Sequence, residues 1–89
     1  MINIHGYVTG RVQGVGFRFF VKQQAKAHQL NGYAKNLADG RVEFLLQGDD
    51  DAAELVLQKI HKGPALSRVD DVCSQTLAEA DPYTAFSIA

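Results

Sequence analysis

The chain has 89 residues, enough for one domain with a single two-layer core. Hydrophobic residues make up 46% and charged residues 21%, which argues against disorder. The 9 basic and 10 acidic residues leave a net charge of -1, and because no basic stripe is visible we expect no nucleic-acid partner. Cys73 is the only cysteine, so an intrachain disulfide is excluded and a reducing cytoplasm is the simplest expected location.

The first third of the chain predicts a strand, a turn and a helix. Residues 2–12 alternate between apolar and polar side chains, as in a half-buried strand. Residues 13–16 form a glycine-rich turn, and apolar residues then recur at helical spacing over 17–30. Asn31-Gly32 is expected to end this helix. No apolar run is long enough to cross a membrane, and residues 1–5 do not resemble a signal peptide, so we expect no membrane partner.

The middle of the chain predicts a hairpin. A second strand is expected over residues 33–37, and Asp39-Gly40 is a strong turn signal. Val42, Phe44 and Leu46 alternate, which predicts a third strand with these three side chains on one face.

The last third predicts a second helix and two more strands. Residues 49–51 are all Asp, which suits a helix start, and Gly63-Pro64 suits its end. The expected buried stripe of this helix is Ala53, Val56, Leu57 and Ile60. Residues 69–77 alternate irregularly, which indicates a strand with a bulge. Residues 84–88 alternate again and predict a short last strand.

This order of elements predicts an α+β fold, the ferredoxin-like two-layer sandwich, with one antiparallel sheet and two helices on one face. It is written βαββαβ, plus a short last strand. The first and second strands then run in the same direction, so their ends lie on one edge of the sheet. We therefore expect the turn after residue 12 to meet the end of the second strand near Asn36. Residues 1–89 are expected to form a single, monomeric domain.

The turn between the first strand and the first helix has the features of an anion site. Gly14 and Gly16 tolerate positive φ, so consecutive backbone N–H groups can face one concavity, and the helix start adds free N–H groups. Such a turn binds phosphate without side-chain charge. Arg18 lies in the first helical turn, where a cation is unfavourable by about 0.3–1 kcal/mol unless an anion is bound. The same glycines would also suit a tight turn beside a solvated Arg18.

Known phosphate loops differ from this turn at defined positions. A Walker loop needs Lys and then Ser or Thr after its last glycine, and here Phe17-Arg18 follows. A dinucleotide-binding fingerprint needs a small residue where Phe19 stands. A cysteine phosphatase needs Cys six residues before Arg18, at the position of Val12. If the turn binds phosphate, no covalent cysteine intermediate forms there.

Other reactive side chains are not grouped in the sequence. His5, His28 and His61 are scattered, and the aspartates at 49–51 suit a helix start, so we expect no metal and no cofactor. No arrangement of Ser, His and Asp or of Cys and His is visible. Cys73 is interpreted as a small core residue.

Asn36 is the candidate that the predicted fold places beside the turn. Its amide can donate to phosphate and accept from water at once, which suits a residue that positions an attacking water. It would also suit a polar strand end. A site without a metal or a nucleophile contributes positioning and charge stabilisation, and these are sufficient mainly for a substrate with a good leaving group. An acyl phosphate has one, because its cleavage releases a stable carboxylate.

Two long stretches resemble the signatures of the acylphosphatase family. The first is Val8-Thr9-Gly10-Arg11-Val12-Gln13-Gly14-Val15-Gly16-Phe17-Arg18. The second is Gly32-Tyr33-Ala34-Lys35-Asn36, with Gly40, Val42 and Gly48 after it. The resemblance extends over the whole chain, including its length, its order of elements and the closing Phe86-Ser87-Ile88. The sequence resembles the small stand-alone members of the family, since it starts at Met1 and has 89 residues.

The resemblance implies a metal-free hydrolase that splits an acyl phosphate into a carboxylate and inorganic phosphate. Arg18 would bind the phosphoryl group together with backbone N–H groups of Gln13, Gly14, Val15, Gly16, Phe17 and Arg18. Asn36 would orient the water that attacks phosphorus in line, and the substrate's own phosphate would take the proton. Some members end in an aromatic residue whose carboxylate helps to hold the arginine. This sequence ends with Ile88-Ala89, which leaves the support of Arg18 open and makes a mobile side chain one expectation.

Three other functions are compatible with parts of the pattern. A non-catalytic module would bind phosphate or carbamoyl phosphate without turnover, since the fold hosts many ligand-sensing domains. An acylphosphatase-like domain can also work inside a larger maturation enzyme. An RNA-recognition sheet would need exposed aromatic residues on both central strands, whereas Phe44 is predicted to face inward and Tyr7 outward.

Overall fold

The computed structural model describes residues 1–89 and contains five strands and two helices in the predicted order. The strands are β1 (Ile2–Arg11), β2 (Asn31–Asn36), β3 (Val42–Gly48), β4 (Arg68–Leu77) and β5 (Phe86–Ile88), and the helices are α1 (Phe17–Ala27) and α2 (Asp50–Lys62).

The strands form one sheet in the order β4-β1-β3-β2-β5, and both helices pack against it. Neighbouring strands are antiparallel except β2 and β5, which are parallel, so the sheet is mixed. This is the predicted ferredoxin-like α+β sandwich, with β5 added beside β2. Because β1 and β2 are both antiparallel to β3, they run in the same direction. We call the side of the sheet without helices the outer face.

The core lies between the sheet and the two helices. Phe44 and Leu46 of β3 are fully buried there, as the alternation predicted. The predicted stripe of α2 is also present, since Ala53, Val56 and Ile60 are fully buried and Leu57 is partly buried against them. Fifteen buried side chains form this cluster: Ile4, Val8, Val12, Phe17, Val21, Ala25, Leu30, Ala34, Val42, Phe44, Leu46, Ala53, Val56, Ile60 and Phe86.

Helix α2 begins and ends where the sequence predicted. The side chain of Asp49 accepts a hydrogen bond of 3.2 Å from the backbone N–H of Ala52, and this satisfies one free donor of the first turn. Gly63 follows the last turn, and its N–H donates to the oxygen of Lys59. Neither α1 nor α2 has the length and hydropathy needed to cross a bilayer.

The predicted end of α1 is wrong. The helix ends at Ala27, and Asn31 already belongs to β2. Gln29 takes a left-handed φ of 59°, and the N–H of Leu30 donates to the oxygen of Ala25 over 2.8 Å. This closing turn is the one usually made by Gly. It places the Leu30 side chain, which is 2% exposed, in the core.

The bulge predicted in the fourth strand is present. Thr9 pairs with Asp71 but Gly10 pairs with Val69, so one extra residue, Asp70, lies in β4 between those partners. Because of this residue Val69 and Val72 both pack against the core although they are three positions apart.

The interpretation of Cys73 as a core residue is wrong. Cys73 pairs with Tyr7 and is exposed. It is one position beyond Val72, which packs against the core, so its side chain lies on the outer face of β4. β4 is an edge strand of the sheet, and no helix covers that face.

The segment before β5 is fastened to the sheet by side-chain amides. Nε2 of Gln47 donates to the oxygen of Asp81, and Oε1 of Gln47 accepts from the N–H of Tyr83. Nδ2 of Asn31 donates to the oxygen of Tyr83. These bonds fix the start of β5, which brings the last two residues of the chain, Ile88 and Ala89, to the edge where β2 ends.

Candidate active site

A concavity of about 140 Å³ lies at the edge where β1 and β2 end. It is lined by Val12, Gly14, Gly16, Phe17, Arg18, Phe19, Asn36 and Ile88. The structure therefore brings the turn and Asn36 together, as the topology predicted. A water needs roughly 10–15 Å³ of such space, so the concavity has room for a phosphoryl group. We call residues 13–18 the glycine loop.

The backbone of the glycine loop alternates in conformation. Gly14 has φ 74° and Gly16 has φ 78°, whereas Val15 between them does not have positive φ. No atom lies within 4 Å of the place where a Cβ would stand on either glycine, so φ, and not space, requires glycine here. Alternation of this kind turns successive N–H groups toward one anion-binding concavity.

The N–H groups of the glycine loop have no acceptor inside the protein. None of those at residues 13–16 donates to a main-chain oxygen, and the first-turn N–H groups of α1 have no intrahelical partner. Gly16 occupies the N-cap without a side chain to accept from them, and the first turn contains no acidic residue. A dense set of free donors therefore surrounds the positive end of the helix, which suits a bound anion.

The side chain of Gln13 fastens the glycine loop to the β2–β3 connection. Its Nε2 donates to the oxygen of Leu37 over 2.8 Å and to the oxygen of Arg41 over 3.0 Å. The sequence pattern predicted a role for the backbone N–H of Gln13 and did not indicate this role of its side chain. No local signal reveals it, because Leu37 and Arg41 reach the loop only through the topology of the sheet.

Arg18 is held by the end of the chain. Its Nη1 donates over 3.0 Å to the main-chain oxygen of Ala89, and the same oxygen accepts the backbone N–H of Asn36 over 3.1 Å. The N–H of Ala89 in turn donates to the oxygen of Ala34, which continues the β2–β5 pairing. The sequence left the support of Arg18 open. In the structure this support is a main-chain oxygen, which needs no aromatic residue at that position.

Asn36 presents an amide without partners to the concavity. Its backbone is fixed by pairing with Val42 and by the bond to Ala89. Its Oδ1 is buried and accepts no hydrogen bond. A buried polar atom without a partner costs about 1–3 kcal/mol, so it usually has a water, ion or ligand to satisfy it. The Asn36 amide is therefore available for a bound molecule.

Two exposed apolar side chains form part of the rim. Phe19 is 58% exposed and Ile88 is 36% exposed, whereas Val12 and Phe17 at the base are fully buried. Phe19 and Ile88 were not among the site residues predicted from the sequence. One signal was available for Phe19, because its position in α1 lies outside the stripe of Phe17, Val21 and Ala25 that faces the core.

A cluster of titratable residues on the outer face lies apart from the concavity. Oε2 of Glu43 lies 2.7 Å from Nε2 of His5 and accepts a 2.7 Å hydrogen bond from the hydroxyl of Tyr33. Burial alone would raise the pKa of Glu43, but the bonds to His5 and Tyr33 outweigh it and lower that pKa. Burial, then the hydrogen bond to Glu43, raise the pKa of Tyr33. No three His, Cys, Asp or Glu side chains group closely enough to hold a metal ion.

The outer face does not match the RNA-recognition alternative. Tyr7 lies there on β1, with the guanidinium of Arg41 4.4 Å from its ring centre. On the other central strand Phe44 is fully buried, and Glu43 stands opposite Tyr7. The pair of exposed central-strand aromatic residues that such a sheet uses is therefore not formed.

The fold and site define a small ferredoxin-like α+β domain with a loop of free donors beside an arginine and an asparagine. The model of the family described as Acylphosphatase matches residues 4–88. The chain is 46% identical over 86 residues to an acylphosphatase from Chromohalobacter salexigens, covering 96% of this chain and 93% of the relative. The chain belongs to the acylphosphatase family, whose enzymes are hydrolases that act on acid anhydrides.

Solved structures agree with this assignment. The crystal structure of acylphosphatase from Bacillus subtilis has a TM-score of 0.96 and 37% identity, covering 100% of this chain and 99% of that one. A crystal structure of full-length HypF, in a phosphate- and nucleotide-bound form, has a TM-score of 0.88 and 30% identity. All of this chain aligns with 12% of the HypF chain, so the same unit also occurs within a longer protein.

Proposed function

We propose that this chain hydrolyses acyl phosphates by direct in-line attack of water on phosphorus, without a metal or a covalent enzyme intermediate. The observation that carries the proposal is the convergence, in one concavity, of unpartnered loop N–H groups, Arg18 and Asn36. Each of these groups donates hydrogen bonds, and a phosphoryl group presents oxygens to accept them.

The phosphoryl group binds in the glycine loop. Backbone N–H groups of residues 13–18 donate to its oxygens, and Arg18 supplies a full positive charge and a planar pair of donors. Nη1 of Arg18 donates to the oxygen of Ala89, and the Arg18 side chain lines the concavity. These donors are arranged before the reaction, and they stabilise the charge that develops on the phosphoryl oxygens in the transition state.

Asn36 orients the attacking water. Its side chain lines the concavity and makes no hydrogen bond within the protein, which supports a role of the amide in holding a water against the phosphoryl group. Its backbone is tied to Ala89 O, the same atom that holds Arg18, so the two residues are placed relative to one another. Positioning of this kind accounts for a large part of catalysis when the chemistry needs no protein nucleophile.

The bond changes balance without a protein base. The water oxygen forms a bond to phosphorus while the bond from phosphorus to the acyl oxygen breaks, and its electron pair leaves with the carboxylate. The water's proton passes to a phosphoryl oxygen of the substrate. No carboxylate or imidazole lines the concavity, so the substrate itself is the nearest acceptor. The products are a carboxylate and inorganic phosphate.

We also propose the setting in which the enzyme works. Residues 1–89 act as a single, monomeric domain in the cytoplasm, with acyl phosphate and inorganic phosphate as partners and with no nucleic acid or membrane. The net charge of -1 and the single, exposed Cys73 support this setting.

Turnover of benzoyl phosphate tests the proposal. The wild-type chain is assayed with and without a chelator and compared with Arg18→Gln and Asn36→Ala, while Arg68→Gln serves as the control. Arg68 is an exposed cation on β4 that pairs with Asp70. We expect turnover that resists the chelator, is nearly abolished in the two site variants and is kept in the control. Phosphate binding without turnover would show a non-catalytic module, and loss of turnover with the chelator would overturn the metal-free mechanism.

A further inference from the structure

The rim of the concavity contains an apolar ledge that the phosphoryl chemistry does not use. Phe19 is the most exposed aromatic side chain of the chain at 58%, and Ile88 is 36% exposed. Both line the concavity together with Arg18 and Asn36. Exposed apolar groups at the edge of a polar concavity are typical of ligand-binding surfaces.

The position of Phe19 in α1 is not explained by packing. Phe17, Val21 and Ala25 form the stripe that enters the core, and Phe20 packs partly against it. Phe19 points away from that stripe and is absent from the hydrophobic cluster. It lines the same concavity as Arg18, the residue proposed to hold the phosphoryl oxygens.

Ile88 contributes the second apolar side chain of the ledge. It belongs to β5 and pairs with Ala34 of β2, two residues before Asn36. The ledge of Phe19 and Ile88 is thus built from α1 and β5, which pack against each other. An acyl phosphate whose phosphoryl group lies in the glycine loop has its acyl carbon just outside that loop, which is where the rim begins.

We propose that Phe19 and Ile88 form an acyl subsite that favours compact apolar acyl groups, such as an aromatic ring, over small or polar ones. This inference rests on the proposed function and adds the substrate class of the same site. Along the exposed face of α1 beyond Phe19 the surface becomes polar, with Lys22, Gln23 and Lys26 bordering the next groove. The apolar part of this face of α1 therefore ends at Phe19, which favours a compact group over a long aliphatic chain.

The test compares benzoyl phosphate with acetyl phosphate in wild type, Phe19→Ala, Phe19→Leu and Ile88→Ala. We expect Phe19→Ala to lower kcat/KM for benzoyl phosphate about tenfold, mostly through KM, and to change acetyl phosphate less than about twofold. Phe19→Leu keeps most of the preference and Ile88→Ala loses part of it. Inhibition by inorganic phosphate stays unchanged in Phe19→Ala. Leu55→Ala, an exposed apolar position on α2, is the matched control.

The outcomes separate the subsite from the proposed function. If acetyl phosphate turnover and phosphate inhibition are normal but the ratio between the two substrates does not change in Phe19→Ala, the subsite is wrong and the function stands. An equal loss for both substrates would assign Phe19 a structural role and also overturn the subsite. If wild type hydrolyses neither substrate, the proposed function and the subsite fail together.

Discussion

Nε2 of Gln13 donates a 2.8 Å hydrogen bond to the main-chain oxygen of Leu37, the residue after Asn36. A second bond from the same nitrogen, to the oxygen of Arg41, holds the other side of the β2–β3 connection. The two bonds, which span 24 and 28 residues of sequence, join the glycine loop to the connection that follows Asn36. Gln13 therefore fixes the donors that we propose bind the phosphoryl group relative to Asn36, which we propose orients the water.

Removing this connection should misplace the glycine loop. In Gln13→Leu both donors are lost, and we expect kcat to fall by up to about a hundredfold, because a shift of about 1 Å can cost that much. Gln13→Glu should be worse, since a carboxylate would face two carbonyl oxygens and would repel the phosphoryl group. Steady-state kinetics with benzoyl phosphate, alongside circular dichroism to confirm folding, measures this. An unchanged kcat in Gln13→Leu would show that the bonds are dispensable.

Arg18 should not be replaceable by lysine. Arg18→Lys keeps the charge but loses the planar pair of donors, so we expect weakened phosphate inhibition and a kcat lower by roughly 10²–10³-fold. Full kcat in Arg18→Lys would mean that charge alone is sufficient. Arg41→Lys is a suitable control, because the Arg41 side chain pairs with Asp39 and stacks on Tyr7 on the outer face.

Gly16 should tolerate asparagine better than alanine. No atom would touch an added Cβ, so the cost of Gly16→Ala is the left-handed φ of 78°, about 1–2 kcal/mol for an L residue. Asn enters this region more easily, and Gly16→Asn should lose less free energy of unfolding. Urea unfolding of both variants measures the difference. Equal destabilisation by the two substitutions would contradict the conformational explanation.

The two halves of the candidate site could be predicted from the sequence, one from a local pattern and the other from the order of elements. The glycines at 14 and 16 predicted the loop, and the order of elements placed Asn36 beside it. Gln13 and Ala89 could not be assigned in the same way. The Gln13 side chain donates to a main-chain oxygen far along the chain, and Ala89 accepts from Arg18 through its own main-chain oxygen. Because any residue supplies a main-chain oxygen, no residue type signals either contact.

The order of strands and helices could be predicted from the sequence, but some details of the fold could not. Alternation and turn residues predicted every element, and the irregular alternation of residues 69–77 indicated a bulge, which the structure has at Asp70. The predicted end of α1 was wrong because Gln29, a residue that does not signal a helix end, takes the left-handed conformation before Gly32 is reached. The prediction that Cys73 lies in the core was wrong because residue type alone does not tell which face of an edge strand is covered.

Glu43 should contribute to the pH dependence of stability. Its pKa is lowered in the folded state, since the bonds to His5 and Tyr33 outweigh the effect of burial, and the charge of Lys35 acts in the same direction. A lowered pKa means that the carboxylate stabilises the fold above its unfolded pKa of about 4.3 and stops doing so as the pH falls through the folded pKa.

We therefore expect wild type to lose more free energy of unfolding than Glu43→Gln between about pH 7 and about pH 3. The substitution keeps the size of the side chain and an oxygen for the Tyr33 hydroxyl, so the difference reports the charge. Urea unfolding across this pH range provides the measurement. Parallel losses in the two proteins would show that Glu43 does not titrate with an altered pKa.

The stereochemical outcome at phosphorus tests the central claim most directly. An acyl thiophosphate made chiral at phosphorus with oxygen isotopes is hydrolysed by the wild-type chain in water that carries the remaining isotope, and the configuration of the inorganic thiophosphate is determined. One in-line attack by water, held by Asn36 on a group bound through Arg18, predicts inversion. Retention would require two displacements, and so a covalent enzyme intermediate, and would contradict the mechanism proposed for this site.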